Sequence, residues 1–393
     1  MFLQILGPVP ISFSASFLAA ILTGACTYVI YQCFFHPLAS FPGPLSAKVT
    51  KIWRAYGMYK GTWHRDLVDL HRKYGPVVRI GPNELCIGDP DAFRQIYSVT
   101  NTFPKGACYS VIQGTRPFDL ANERNEKIHA AQRRVVARPY SMESTKRFEP
   151  LINELTETLL EKLDNFATSS QTIDLGFWIQ LYAFDVIGVV SFSKPFGFVS
   201  SGSDNGIFER IQRAMNSAAW LMHARWFFKF HQSFIMPVFG NWLALNDRHG
   251  YFFEFSKEQV NGRKGQEGTD IVGQLFHAQA TKSQPDDLSI TFMMTTNVFA
   301  GSDTTAIAMS AIFLYLVRSP HVVDTLRAEL RERHSNLRGI VSSEEAESSP
   351  YLQAIIYEGM RVFPSLAFVM DRDVPPEGMT IGGKHIPGGV SIQ

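Results

Sequence analysis

The run from Leu288 to Val317 reads as one long buried helix, and no other feature constrains the fold as strongly. Its apolar pattern is broken once, at Phe299-Ala300-Gly301-Ser302-Asp303-Thr304-Thr305. Glycine and serine at mid-helix predict a loosened backbone ladder there, a distortion that recurs at functional sites. The acid–alcohol pair Asp303 and Thr304 then offers a proton path beside an opened groove.

A chain of 393 residues can bury a large core, as one big domain or two ordinary ones. Lys+Arg 37 against Asp+Glu 36 gives a net charge of +1, so nothing points to a nucleic-acid partner. The charges are unevenly placed. Positions 1–47 carry no Asp, Glu, Lys or Arg, and Ile11 to Phe35 is a 25-residue, mostly apolar stretch. A cleaved signal peptide would have a basic start and a shorter apolar region. A buried globular helix would rarely run so long without charge. A single N-terminal transmembrane helix fits best. Lys48, Lys51, Arg54, Lys60 and Arg65 follow it while nothing charged precedes it. The positive-inside rule therefore places the body in the cytosol, which in a eukaryotic chain implies the endoplasmic reticulum membrane. Of the four cysteines, Cys26 and Cys33 lie in the anchor, and Cys86 and Cys108 are scattered without metal-type spacing. That usage agrees with a reducing compartment and gives no disulfide framework.

After the anchor, residues 1–35, comes a proline-rich segment, residues 36–47, expected to act as a stiff hinge that sets the angle of the body to the membrane. Trp63 to Tyr74 predicts a short helix. Val77–Ile80 and Glu84–Ile87 predict a hairpin around Gly81-Pro82-Asn83. Helical patterns then dominate: Glu123–Arg138, Ser141–Phe166, Leu175–Val190, Asn205–Trp226, Thr269–Ala280, Leu288–Val317, Pro320–His334 and Pro350–Val362. Two of them start on Ser-Pro, a cap followed by proline at the first helical position. Short strands are predicted at Thr380-Ile381, Lys384–Ile386 and Val390–Ile392. Residues 48–393 thus read as one domain, mainly α with a small β-sheet.

Two further constellations carry chemistry. Glu358 and Arg361 are three apart on the Pro350–Val362 helix. That helix is apolar around them, at Leu352, Ile355, Ile356 and Val362, so the pair is expected to be buried, where it would specify geometry more than add stability. His129 and Arg133, spaced i,i+4, face one way and can donate hydrogen bonds to a carboxylate. Alone, that segment would read as a solvated basic helix.

Taken together and in this order, the pieces resemble the cytochrome P450 family, in particular its fungal, membrane-anchored members. His36-Pro37-Leu38 with Phe41-Pro42-Gly43-Pro44 is similar to the family's hinge, and Tyr74 to Leu85 to its first hairpin. Phe184-Asp185-Val186-Ile187-Gly188 with Pro195-Phe196-Gly197 is also typical. Ala300–Thr305 resembles the oxygen-binding stretch of its central helix, and Glu358-x-x-Arg361 its E-x-x-R pair. The resemblance implies a haem b cofactor, an apolar small-molecule substrate in secondary metabolism, and electrons from an NADPH-cytochrome P450 reductase. It implies that Thr304 handles oxygen and delivers a proton that Asp303 relays. Ala300 and Gly301 would let the porphyrin approach the backbone. His129 and Arg133 would bind one haem propionate. Arg372 could reach the other or be an exposed loop arginine. Glu358 and Arg361 would be structural.

The family holds its iron by a cysteine thiolate in an F-x-x-G-x-x-x-C-x-G loop. No such loop occurs in this sequence, and Cys108, after Phe103-Pro104-Lys105-Gly106-Ala107, has the wrong spacing and order. The chain also stops inside its last predicted strand. The expectation is a P450-like domain incomplete at its C-terminus and inactive as given. It would be either a fragment of a working monooxygenase or a non-catalytic membrane-anchored relative.

Overall fold

A computed structural model describes residues 11–98, 103–114, 116–240, 251–264, 266, 268–282, 284–334, 339–366 and 370–393. The chain is mainly helical with small sheets, and its described residues gather into two compact units. One unit takes its residues from 1–112, 216–240 and 369–393, the other from 113–215 and 241–368.

The first unit holds all the strands among the described residues. The predicted hairpin forms as β1 (Val77–Gly81) and β2 (Glu84–Ile87), antiparallel, with a register shift between Arg79 and Gly81. Three short strands close the unit's sheets with a fourth: β3 (Arg372–Asp373), β4 (Met379–Ile381), β5 (Lys384–Ile386) and β6 (Ser391–Ile392). The main sheet runs β1-β2-β6-β3, with β6 parallel to β2 and antiparallel to β3; β4 and β5 pair separately. Alternate residues of these strands meet in one apolar cluster with Leu85, Ile381, Ile386 and Ile392, as the two-residue side-chain period requires.

Helix α1 (Ile11–Ile30) continues into a π-type turn, Tyr31–Phe35. Ala15–Phe35 is long and apolar enough to cross a membrane, and almost none of it is buried. The proline-rich segment behind it is not a loose connector. Leu38 and Phe41 are buried in the same cluster as the strands, and the Pro42 carbonyl accepts a bond from the Arg79 amide at 2.7 Å. Gly43 lies so close to the Arg79 carbonyl that a Cβ there would collide with it. Helix α2 (Ile52–Lys60) brings Arg54, 1% exposed, into the polar centre of the unit. Its guanidinium donates to Glu84 Oε2 at 3.0 Å, Asp371 Oδ1 at 3.2 Å and Gln393 Oε1 at 2.6 Å.

The second unit is built on two long helices, α4 (Leu175–Phe192) and α6 (Asp287–Val317), packed along each other. Phe184 on α4 anchors an aromatic cluster, lying 4.9 Å from the Phe208 ring and 5.7 Å from that of Phe252. Asp185 is fully buried and accepts bonds from the amides of Gly197, Phe198 and Val199 at 2.8, 3.2 and 2.9 Å. That is how a buried carboxylate is tolerated in an otherwise apolar helix. Helix α3 (Glu126–Val136), shorter at both ends than the sequence pattern, starts on the Asn125 cap. The predicted Ser141–Phe166 helix is two helices, Met142–Lys146 and Glu149–Thr168. Pro150 is the reason, since proline lacks the amide a continuing helix needs and is at home in a first turn. Helix α5 (Ile271–Lys282) and helices α7 (Pro320–Arg333) and α8 (Pro350–Val362) follow the predicted bounds within two residues.

Candidate active site

Helix α6 is capped by Asp286, whose side chain accepts from the Ser289 amide at 2.9 Å. It then runs without interruption through Phe299–Thr305. The loosening expected there does not occur. The Ser302 and Thr304 hydroxyls donate to the carbonyls of Val298 and Ala300, one turn back, at 2.5 and 2.7 Å. Such back-bonding engages carbonyls already in the ladder and leaves the helical path intact.

The residues of the motif do not share one face. Ala300 is exposed and Thr304 lies one turn along on the same face. Gly301 faces α4, where an added Cβ would stand 2.9 Å from Ile187 Cδ1. The glycine therefore sits at the close approach of α4 and α6. Asp303 is half-buried and also turns toward α4. It lines a cleft of about 550 Å³ with Ala306, Ile307 and Ser310 of its own helix and Asp174, Gly176 and Gln180 at the start of α4. Gln180 Nε2 donates to Asp303 Oδ1 at 3.0 Å. Burial pushes the Asp303 carboxyl above the usual carboxylate range, and the Gln180 bond works against that. Acid and alcohol, adjacent in sequence, thus hold different partners. Gln180 escaped the sequence reading, although a polar amide in the apolar run of Leu175–Phe192 is a signal in itself.

His129 and Arg133 lie on α3, bordering its buried face of Gln132 and Val136. Gln132 fixes that face by donating to the Pro117 carbonyl at 2.9 Å. His129 is half-exposed with Nδ1 at 3.7 Å from Glu126 Oε2, and Arg133 is exposed. The two lie one turn apart on one stripe of the helix. Arg372 belongs to the other unit, where its guanidinium donates to the Asp371 carbonyl at 3.1 Å and lies 5.2 Å from the Tyr97 ring.

Glu358 and Arg361 pair as expected, in a fork: Nε to Oε2 and Nη2 to Oε1, each 2.7 Å. The burial expected for them is wrong. Their side chains are 60% and 70% exposed. The apolar residues that suggested burial, Leu352, Ile355 and Ile356, share a stripe with Gly359, where an added Cβ would meet Ile312 of α6. Residues 358 and 361 fall on the other side of the helix.

A family model described as Cytochrome P450 matches residues 41–393, across both units. The chain belongs to the cytochrome P450 family. It is 56% identical over 387 residues to the cytochrome P450 monooxygenase hepC of Aspergillus oryzae, covering 94% of this chain and 75% of that one. A cytochrome P450 monooxygenase of Aspergillus flavus, AFLA_114810, is 32% identical over 379 residues, 90% of this chain and 73% of the relative. A pisatin demethylase of Fusarium vanettenii is 32% identical over 375 residues, 93% and 72%.

The family implies a haem cofactor, and the donor set of this P450 fits one only in part. His129 and Arg133 offer the kind of donors that hold a carboxylate such as a propionate. The four cysteines are free thiols. Cys26 and Cys33 belong to the N-terminal helix and its π-type turn. Cys86 is buried in β2 with its sulfur 3.1 Å from His71 Nε2, and burial raises its pKa. Burial pushes the Cys108 thiol far up, and the neighbouring Asp371 adds to this.

Proposed function

We propose that this P450 carries the proton-handling side of a haem b monooxygenase that oxidises an apolar small molecule in secondary metabolism. The reading rests on one observation above the rest: within a family match over residues 41–393, Asp303 and Thr304 sit at mid-length on the central helix, the acid half-buried and held by a single neutral donor. Haem, when bound, supplies oxygen activation; Asp303 takes up and passes on a proton, Thr304 holds a hydroxyl on the Ala300 face, and His129, Arg133 and Arg372 hold carboxylates. Ala15–Phe35 serves as a single-pass anchor in the endoplasmic reticulum membrane with the body in the cytosol, supported by its length and by the basic residues that follow it. NADPH-cytochrome P450 reductase delivers the electrons. Pairing Glu358 with Arg361 is a structural role.

A second reading is a membrane-anchored relative without turnover. One experiment separates the two. The full chain is loaded with haem, examined as its reduced carbon monoxide complex, and assayed for NADPH-dependent oxidation with the reductase. A thiolate-type spectrum with turnover that falls about 100-fold in Asp303→Asn, the scale of a lost general acid, supports the first reading. Turnover equal in D303N and the unaltered chain overturns it. Haem uptake without the thiolate spectrum and without turnover supports the second.

A further inference from the structure

The Asp303 carboxylate differs from the other buried acids in what holds it. Asp185 takes three backbone amides, and Asp270 takes an ion pair with Arg263 at 2.6 Å. Asp303, among the described residues, forms no ion pair; it accepts from the Gln180 amide, reaching from 123 positions away in sequence. The other titratable groups along its cleft are Asp174, already bonded to the Phe177 amide at 3.1 Å, and Tyr315. Among the described residues, no cationic side chain lines it.

That arrangement has a chemical consequence. An arginine or lysine against Asp303 would lock it as a carboxylate, since an opposite charge within a few ångströms strongly favours the ionised form. A carboxyl that must both accept and release a proton works best with its proton affinity near the operating pH. A neutral amide donor stabilises the ionised form modestly and can be left by a side-chain rotation. The amide is also costly in its place unless it bonds, because α4 is otherwise apolar around it.

We propose that Gln180 is the positioning residue for Asp303: its amide holds the carboxylate toward α4 between proton transfers and sets how readily that carboxylate takes up a proton. The proposal rests on the reading of Asp303 as the proton-handling acid. It assigns to α4, a helix otherwise devoted to packing, a part in the chemistry of α6.

The test is a titration of Asp303 in the full chain, with aspartate carboxyls isotopically labelled and followed by infrared difference spectroscopy. Asp303→Asn identifies the band. Gln180→Leu, close in volume, should shift the midpoint upward, because the donor is gone and burial is left unopposed. Gln180→Lys, which restores a donor and adds charge, should shift it downward. Opposite shifts from two substitutions at one position are not produced by a packing role. Midpoints unchanged in both variants overturn the proposal. The supporting reading fails separately: if the midpoints shift but turnover of the haem-loaded chain is the same in D303N, Gln180 positions an acid that is not in the relay.

Discussion

The guanidinium of Arg79 closes on Gln32, donating to its backbone carbonyl at 2.8 Å and to its side-chain oxygen at 2.7 Å. A third bond runs to the Pro82 carbonyl at 2.7 Å. Arg79 is fully buried on β1 and Gln32 is 7% exposed, in the turn that ends the apolar N-terminal helix. The angle between that helix and the sheet is therefore set by a side-chain clamp as much as by the prolines between them.

Arg79→Ala should release the clamp. It leaves a buried carbonyl and amide without their charged donor, at roughly 1.5–3 kcal/mol for such a bond. Limited proteolysis in detergent should cut the variant within residues 36–44 faster than the unaltered chain, while Arg79→Lys, with one point charge for a fork, falls between them. Equal cutting rates would show that proline stiffness alone fixes the segment.

The Arg54 cluster predicts an acid limb in the stability of the chain. Burial alone would raise the Glu84 carboxyl, but Arg54 and then Lys51 overcome that and hold it at about 2, below its ordinary 4.5. A group depressed in the folded state contributes stability that is present above pH 4.5 and lost as pH falls toward 2. Asp371 opposes this. Burial raises its carboxyl, so it protonates sooner in the folded chain and favours folding as pH falls. Denaturation followed against pH should therefore lose its acid limb in Glu84→Gln and show a steeper one in Asp371→Asn. Arg54→Met should cost about 3–5 kcal/mol near neutrality, the usual penalty for stranding a buried charge.

What the sequence made legible is what local rules govern. The α6 helix, the β1–β2 hairpin and the Ser-Pro starts of α7 and α8 depend on period, caps and turn residues within a few positions. The break at Pro150 was missed, and the expected Ser141–Phe166 helix is two. The partners were not legible, because they lie far apart in the chain: Gln180 with Asp303, and Arg54 with Glu84, Asp371 and Gln393. Burial of Glu358 and Arg361 was misjudged because flanking apolar residues were counted without asking which face they share.

That pair supplies a contrasting prediction. An exposed fork in water is screened and contributes little. Glu358→Ala should leave the thermal midpoint of the chain essentially unmoved at high salt. A large drop in Tm would mean that the pair is covered in solution.

Gly301 offers the sharpest test of how α4 and α6 meet. Alanine is the better helix former by about 1 kcal/mol, so on propensity alone Gly301→Ala should stabilise α6. The added Cβ, however, would stand 2.9 Å from Ile187 Cδ1. Overpacking of that kind costs typically about 1–3 kcal/mol, enough to reverse the sign. Ile187→Val removes the offending Cδ1 at a cost of about 1 kcal/mol, leaving Cγ1 at 3.3 Å. The two changes should then couple. G301A should destabilise the unaltered chain yet be neutral or stabilising beside I187V, with an interaction energy of about 1–2 kcal/mol in a double-mutant cycle by urea unfolding. Strict additivity would mean that the helices are not in contact at this glycine. The glycine would then be free for a role on the open face that Ala300 and Thr304 share.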